Sequence, residues 1–265
     1  MNKYTKIDLD MSDEAYRAMA GISQSMLKPL FKSPAHYKQQ FEEEKKTTDA
    51  MVLGTITHLA TFQPKLFAEQ VIVAPKFDRR KPADKEAEQR FLEENVGKYC
   101  VEQKDYDLAL AMSDSVRNTE NHNELTNSGN AEVCVFSHEL PYEDIYLKGK
   151  MDWINFDKKI IVDLKSTSQS INDDYTIKNI IKDSFYDIQQ VMYQMLLDHN
   201  GLANYEFVFE FVESKAPHGV RFVKISPPSV KKAKHNLDAS IALLQHCITH
   251  NMWISYTEEI KVIDV

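Results

Sequence analysis

Cysteine, glycine and tryptophan are scarce in this chain: three, seven and two residues respectively among 265. Cys100, Cys134 and Cys247 lie far apart, which excludes a CxxC metal knuckle and a disulfide framework and fits a reducing cytoplasm. Cations are also short, with 32 Lys plus Arg against 40 Asp plus Glu and a net charge of -8. The chain as a whole is therefore no electrostatic magnet for nucleic acid, and any DNA contact must come from local basic patches or a metal. The opening MNKYTKIDLDMSDEAY has no apolar h-region, and no run is long enough to span a bilayer. These absences give the expectation of a soluble, cytoplasmic protein without membrane contact. Repeats, low-complexity segments and Gly/Ser linkers are missing as well. One domain over residues 1–265 is expected, mainly helical over 1–125 and with its core over 126–265.

What is present reads first as helices. Ser23 can cap a helix through Met26, Leu27 and Leu30, and Ser33-Pro34 starts a second one for AHYKQQFEEEKK. AMVLGTITHLATF, from Ala50 to Phe62, is apolar almost all round with His58 as its one titratable residue, the pattern of a helix buried in a domain. Pro64 closes it. A short strand, VIVAP, precedes the charged and exposed helical stretch FDRRKPADKEAEQRFLEENVG. A helix near Asp105 to Asn118 and the turn-rich ELTNSGN lead to the strands AEVCVF, IYLKGKMDWINF and KKIIVDLKS. Helices resume over Asp173 to Asp183 and Tyr186 to His199. YEFVFEFVES, GVRFVKIS and a helix from about Ser229 to Asn251 complete an α/β chain, a mixed central sheet flanked by helices.

KGKMDWINFDKKIIVDLKST, residues 148–167, carries Asp152, Asp163 and Lys165 inside an apolar hairpin. Burying a charge without a partner is costly, so something must compensate them. Alternation puts Ile161, Asp163 and Lys165 on one face and Ile160, Val162 and Leu164 on the other. A two-residue Asp157-Lys158 loop then pairs Asp152 with Asp163 and Lys150 with Lys165, and on the apolar face Trp153 with Val162 and Met151 with Leu164. Opposed carboxylates on neighbouring strands call for a cation, and oxygen ligands favour Mg²⁺ or Mn²⁺. Lys165 would then reach a water on that metal. The alternative is an edge strand with its Asp and Lys simply solvated.

Asp152, then Asp163-Leu164-Lys165 after ten intervening residues, resembles the PD-(D/E)xK nuclease core. Further segments are similar, in the same order, to the RecE family, the exonuclease VIII type of phages and prophages: ISQSMLKPLFKSPAHYK, LGTITHLATFQP, YDIQQVMY and VESKAPHGVRFVKI. The resemblance runs from about residue 20 to 250. It implies a restriction-endonuclease-like core with an added N-terminal helical region. It also implies that His58 joins Asp152, Asp163 and the Leu164 carbonyl as metal ligands, and that Lys165 aligns and helps deprotonate the attacking water. From the residues alone, a lone His in an apolar helix reads as a hydrogen-bonded core residue, with Gly54 on the same face serving close packing. Gln189 and Tyr193, four apart, share a helix face; the resemblance places them at the active site, and plain half-burial is the other reading. Glu132 is an additional candidate near the metal.

Met151 stands where the motif has Pro, and the scattered cysteines do not match the iron-sulfur branches of the superfamily, so no cluster is expected. Lys28, Lys32 and Lys38, Arg79, Arg80 and Lys81, and Lys231, Lys232 and Lys234 are the candidate phosphate contacts, though each cluster also fits solvated surface. The resemblance implies a Mg²⁺-dependent exodeoxyribonuclease, with Mn²⁺ able to substitute, that degrades linear double-stranded DNA 5′ to 3′ in phage-type recombination. Its partners would be duplex ends, a single-strand annealing recombinase and copies of itself in a ring. A structure-specific endonuclease and a non-catalytic DNA-binding module on the same fold are the rivals.

Overall fold

A computed structural model describes residues 6–42, 47–78, 80–137 and 145–256. The order begins β1 (Lys6–Asp8), α1 (Asp13–Ala18), α2 (Gln24–Leu27) with a 3₁₀ turn over Lys28–Phe31, α3 (Pro34–Gln39), α4 (Asp49–Phe62) and α5 (Pro64–Gln70). It continues with β2 (Val71–Val73), α6 (Pro82–Glu94), β3 (Tyr99–Val101), α7 (Gln103–Arg117) and α8 (Glu120–Leu125). The rest is β4 (Asn130–Ser137), β5 (Leu147–Asn155), β6 (Ile160–Thr167), α9 (Asp174–Ser184), α10 (Tyr186–His199), β7 (Glu206–Glu213), β8 (Val220–Val223) and α11 (Pro227–His250).

The expected mixed α/β architecture is present. Six strands run in the order β1-β4-β5-β6-β7-β8, all antiparallel neighbours except the parallel pair β6/β7; β2 and β3 form a separate parallel pair. The parallel step follows from the crossover through α9 and α10, which a parallel pair requires. One sheet face packs Met151, Ile154, Ile161, Phe209 and Phe211 against Ile188, Met192 and Leu196 of α10 and Leu237, Ile241 and Leu244 of α11. The other face sets Val162, Leu164 and Val212 against Phe62, Met112 and Val116 of α4 and α7. Buried Glu210 of β7 is met there by His122 of α8, whose Nδ1 lies 3.1 Å from both carboxylate oxygens.

Several expectations need correction. Pro64 does not merely close α4; with Pro at its first turn, α5 starts at once, because Pro there loses no intrahelical hydrogen bond. The helix after Ser33 ends at Gln39, and the later residues 43–46 lie outside the described residues. α4 is buried only in its second half, from Ile56 onward. From the N-terminal part, β1 adds an edge strand to the main sheet. The hairpin register is as expected at Trp153↔Val162, Ile154↔Ile161 and Asn155↔Ile160, but the turn spans residues 156–159, with Lys159 at φ 53° and the Lys158 N–H bonded to Asn155 Oδ1. Met151 does not join Trp153 on the apolar layer. It packs in the α10 core, whereas Trp153 packs on the α4 side. The faces switch at Asp152, where the β5/β6 pairing has stopped. Among the described residues no helix is long and apolar enough to cross a membrane.

Candidate metal centre

α4 brings His58 to the sheet. Thr48 starts this helix, its Oγ1 accepting the Met51 N–H at 3.3 Å, and the apolar second half seats it. His58 Nδ1 then lies 3.2 Å from Asp152 Oδ2. Asp152 sits where β5 changes face, and Glu132 lies across from it on β4, between the pairs Ala131↔Trp153 and Val133↔Met151. Glu132 has a left-handed backbone, φ 56°, a conformation a non-glycine residue rarely adopts. That turn re-aims its side chain, so that one ligand atom from each of His58, Glu132 and Asp152 lies within 4.8 Å of the others. Asp152 Oδ2 also accepts the Leu164 N–H at 2.8 Å, which fixes the carboxylate and continues the strand link by a side chain.

Asp163 is not in that trio. It is fully buried and faces α10, where Gln189 Nε2 donates to its Oδ1 at 2.8 Å. Gln189 Nε2 is in turn 3.2 Å from the Tyr193 hydroxyl, which donates to the Lys150 carbonyl at 2.8 Å. Lys165 Nζ stands 2.6 Å from Asp163 Oδ2 as an ion pair and 4.5 Å from the centre of the Tyr186 ring. Outside that ionic contact, no hydrogen bond reaches Oδ2 in good geometry. The expected sharing of a face by Asp163 and Lys165 thus holds, and Gln189 and Tyr193 do face them. The direct pairing of Asp152 with Asp163 does not appear in the strand register, which ends one step before it.

Charge follows this layout. Burial, the largest influence, pushes the Asp163 carboxyl up to about 6 against the pull of Lys165, with the Asp152 charge adding to the rise. Burial also opposes ionisation of Asp152, yet His58, Lys165 and the Leu164 N–H hold it below the ordinary carboxylate range. His58 is pulled down by burial but more strongly raised by Asp152. Lys165 likewise ends above its ordinary value, since Asp163 and Asp152 outweigh desolvation. Burial raises Glu132, partly offset by Lys150.

The donors are carboxylate oxygens and one imidazole, and Asp163 adds a buried oxygen that lacks a hydrogen bond. This set fits a divalent cation, which Asp152, Glu132 and His58 would hold with Asp163 beside them. In front of the trio opens a cleft of about 780 Å³, walled by Asp10, Asp13 and Glu14 as well as by Glu132, Asp152 and Lys150. Lys150 ion-pairs both Glu132 and Asp13, and Lys148 Nζ donates to the Met19 carbonyl at 2.6 Å, so the two β5 lysines anchor α1 along the cleft.

Of the basic candidates, Lys28 and Lys32 are exposed, and Lys28 Nζ lies 5.8 Å from the Phe185 ring. Arg80 is engaged by Asp78 through bonds of 2.9 and 3.1 Å, and Arg79 lies outside the described residues. Lys231 and Lys232 are exposed on α11. Sequence reasoning missed Tyr186 and Asp13, and it set Lys150 opposite Lys165, a pairing beyond the end of the β5/β6 register; Lys150 instead ion-pairs Glu132 and Asp13. Tyr186 was findable, three residues before Gln189 on the same helix face. Asp13 carries no local signal, because only the folded edge of the sheet brings α1 to the cleft.

Over residues 23–265 the sequence matches the family described as PDDEXK-like domain of unknown function (DUF3799). Among solved structures, a "Putative exonuclease" from Eubacterium rectale is 15% identical with a TM-score of 0.62, covering 95% of this chain and 97% of that one. At that identity the likeness is one of fold. A phage related exonuclease from Haemophilus somnus 129PT is 16% identical with a TM-score of 0.36, over 88% and 97% of the two chains. No curated protein matches the sequence.

Proposed function

This chain belongs to the PDDEXK-like DUF3799 family, and from that premise we propose that it is a divalent-metal-dependent deoxyribonuclease acting on ends of linear duplex DNA. The observation that carries the reading is the convergence of His58, Glu132 and Asp152 on one cleft, with the Asp163–Lys165 pair beside them. A bound Mg²⁺ or Mn²⁺ would lower the pKa of its water and neutralise the scissile phosphate. Asp152, Glu132 and His58 would supply its donors, and the contact of His58 with Asp152 holds that carboxylate in place. Lys165, charged and braced by Tyr186, orients the attacking water and offsets charge growing on the phosphate oxygens. Gln189 and Tyr193 keep Asp163 and the β5 backbone in register with Lys165.

The RecE-like identity, 5′-to-3′ polarity, a role in phage-type recombination, an annealing partner and a ring assembly rest on the colinear sequence resemblance. We read the chain as one nuclease domain over 1–265, since β1 and α4 from its N-terminal part build the same sheet and the same centre. A cytoplasmic setting accords with its unpaired cysteines.

The test is release of acid-soluble nucleotides from linear duplex and from a covalently closed circle, with Mg²⁺, Mn²⁺ or EDTA, beside Asp152→Asn. Metal-dependent loss of the linear DNA alone, abolished in the variant, is the expected result. Cutting of the circle would make the enzyme an endonuclease, and folded protein inert on both DNAs would leave a binding module.

A further inference from the structure

A second groove, of about 1060 Å³, lies between α9, β8 and α11, away from the acidic cleft. Its floor is apolar, with Ile177, Ile181 and Val223, and Phe31 and Phe185 stand at one end as a stacked pair, ring centres 4.5 Å apart. Its rim is basic: Lys178 and Lys182 come from α9, Arg221 and Lys224 from β8 and its C-terminal end and Lys232 from α11, against the carboxylates Asp174 and Asp187. Arg221 pairs with Asp174 and Lys224 with Glu206, but among the described residues no ion pair takes up Lys178, Lys182 or Lys232.

In a chain of net charge -8 whose catalytic cleft is lined by Asp10, Asp13, Glu14, Glu132 and Asp152, this cationic rim stands apart. A metal site suits the first cleft; a polyanion suits the second. The aromatic, apolar floor decides which polyanion. A duplex turns sugars and phosphates outward and keeps its bases stacked inside, so it has nothing to lay on Phe31 or Phe185. An unpaired strand offers both phosphates for lysines and base faces for aromatic rings.

The groove also joins the metal centre through one short stretch of chain. Phe185 lines the groove in a left-handed conformation, φ 57°, that is costly for a bulky residue. The next residue, Tyr186, lies over Lys165, and Gln189 holds Asp163. The strained junction of α9 and α10 therefore points one aromatic ring into the groove and the next at the catalytic lysine.

Resting on the nuclease reading for the identity of the nucleic acid, we propose that this groove binds single-stranded DNA, the unpaired strand present once a duplex end is resected. Phosphates lie along Lys178, Lys182 and Lys232, and bases rest on the Phe31 and Phe185 pair.

The test is fluorescence anisotropy of a labelled oligothymidylate with full-length protein in EDTA, so that no cleavage occurs. A Lys182→Glu/Lys232→Glu double variant is expected to bind roughly tenfold more weakly, its salt dependence reduced by about 0.7 per lost phosphate contact. Phe31→Ala is expected to weaken binding by a similar factor, and the exposed lysine pair keeps the test valid if that variant fails to fold. Unchanged affinity in the folded lysine variant overturns the proposal, and a peptide occupant would give that result. An equal loss for blunt duplex overturns the single-strand assignment. Lysine-dependent strand binding by a protein without nuclease activity would sink the nuclease reading while leaving the groove assigned.

Discussion

Asp163 carries a charge that its surroundings resist: it is fully buried, and burial lifts its carboxyl up to about 6 from an ordinary 3.8. A carboxyl whose folded pKa is raised contributes stability that is complete below about pH 4 and is lost as pH climbs through about 6. In EDTA the protein should therefore lose stability relative to Asp163→Asn between about pH 4.5 and 7, because the variant has no carboxyl to ionise. Urea unfolding at the two pH values measures this, and a stability difference that does not move with pH would mean Lys165 already compensates the charge in full. Gln189 offers a second residue-scale prediction. Its amide is the hydrogen-bond donor to Asp163 Oδ1, so Gln189→Ala strands a buried acceptor and should cost roughly 1–3 kcal/mol in the same assay. Nuclease activity should fall with it, since Asp163 loses its orientation.

Two glycines separate what elements tolerate. Gly54 is inside α4, and a Cβ there would find Ser166 Oγ at 3.9 Å, an ordinary contact. Gly54→Ala is expected to be tolerated and to stabilise by about 0.5–1 kcal/mol, as Ala does in a helix interior. Gly149 in β5 is different: a Cβ there would meet Tyr193 Cε1 at 2.8 Å and Leu196 Cδ1 at 2.9 Å. Tyr193 is tied to the Lys150 carbonyl and cannot yield freely, so Gly149→Ala should destabilise by about 1–3 kcal/mol and lower activity. Thermal melts of both variants check the contrast. The sequence pattern points at the wrong glycine, since sharing a face with His58 suggests close packing at Gly54, while the tight approach lies where a strand glycine meets α10. The hairpin register was legible because a turn centred on Asp157-Lys158 sets Trp153 opposite Val162, as found. The switch of faces at Asp152 was not legible: it lies opposite a left-handed turn at Glu132, and nothing in AEVCVF announces a positive φ at a glutamate. The same turn is what brings Glu132 closer to His58 and Asp152 than sequence reasoning ranked it.

Across the whole molecule, the centre joins parts that are distant in the chain. His58 comes from α4, packed over one sheet face, while Glu132 and Asp152 come from neighbouring strands more than seventy residues further on. A cation held by all three would act as a cross-link between the helical layer and the sheet, and anything that binds only the folded state stabilises it. At about a hundredfold excess over its Kd, Mg²⁺ or Mn²⁺ should add about 2.7 kcal/mol, which for a chain of this size is a rise in Tm of roughly 5–10 °C. Asp152→Asn and His58→Ala should each lose most of that rise, because each removes a donor from one side of the link. EDTA should reverse it in the unmodified protein. The helical layer is the informative side. If His58→Ala kept the full metal-induced shift while Asp152→Asn lost it, the cation would be bound by the strands alone, and His58 would serve only to orient Asp152 through their 3.2 Å contact.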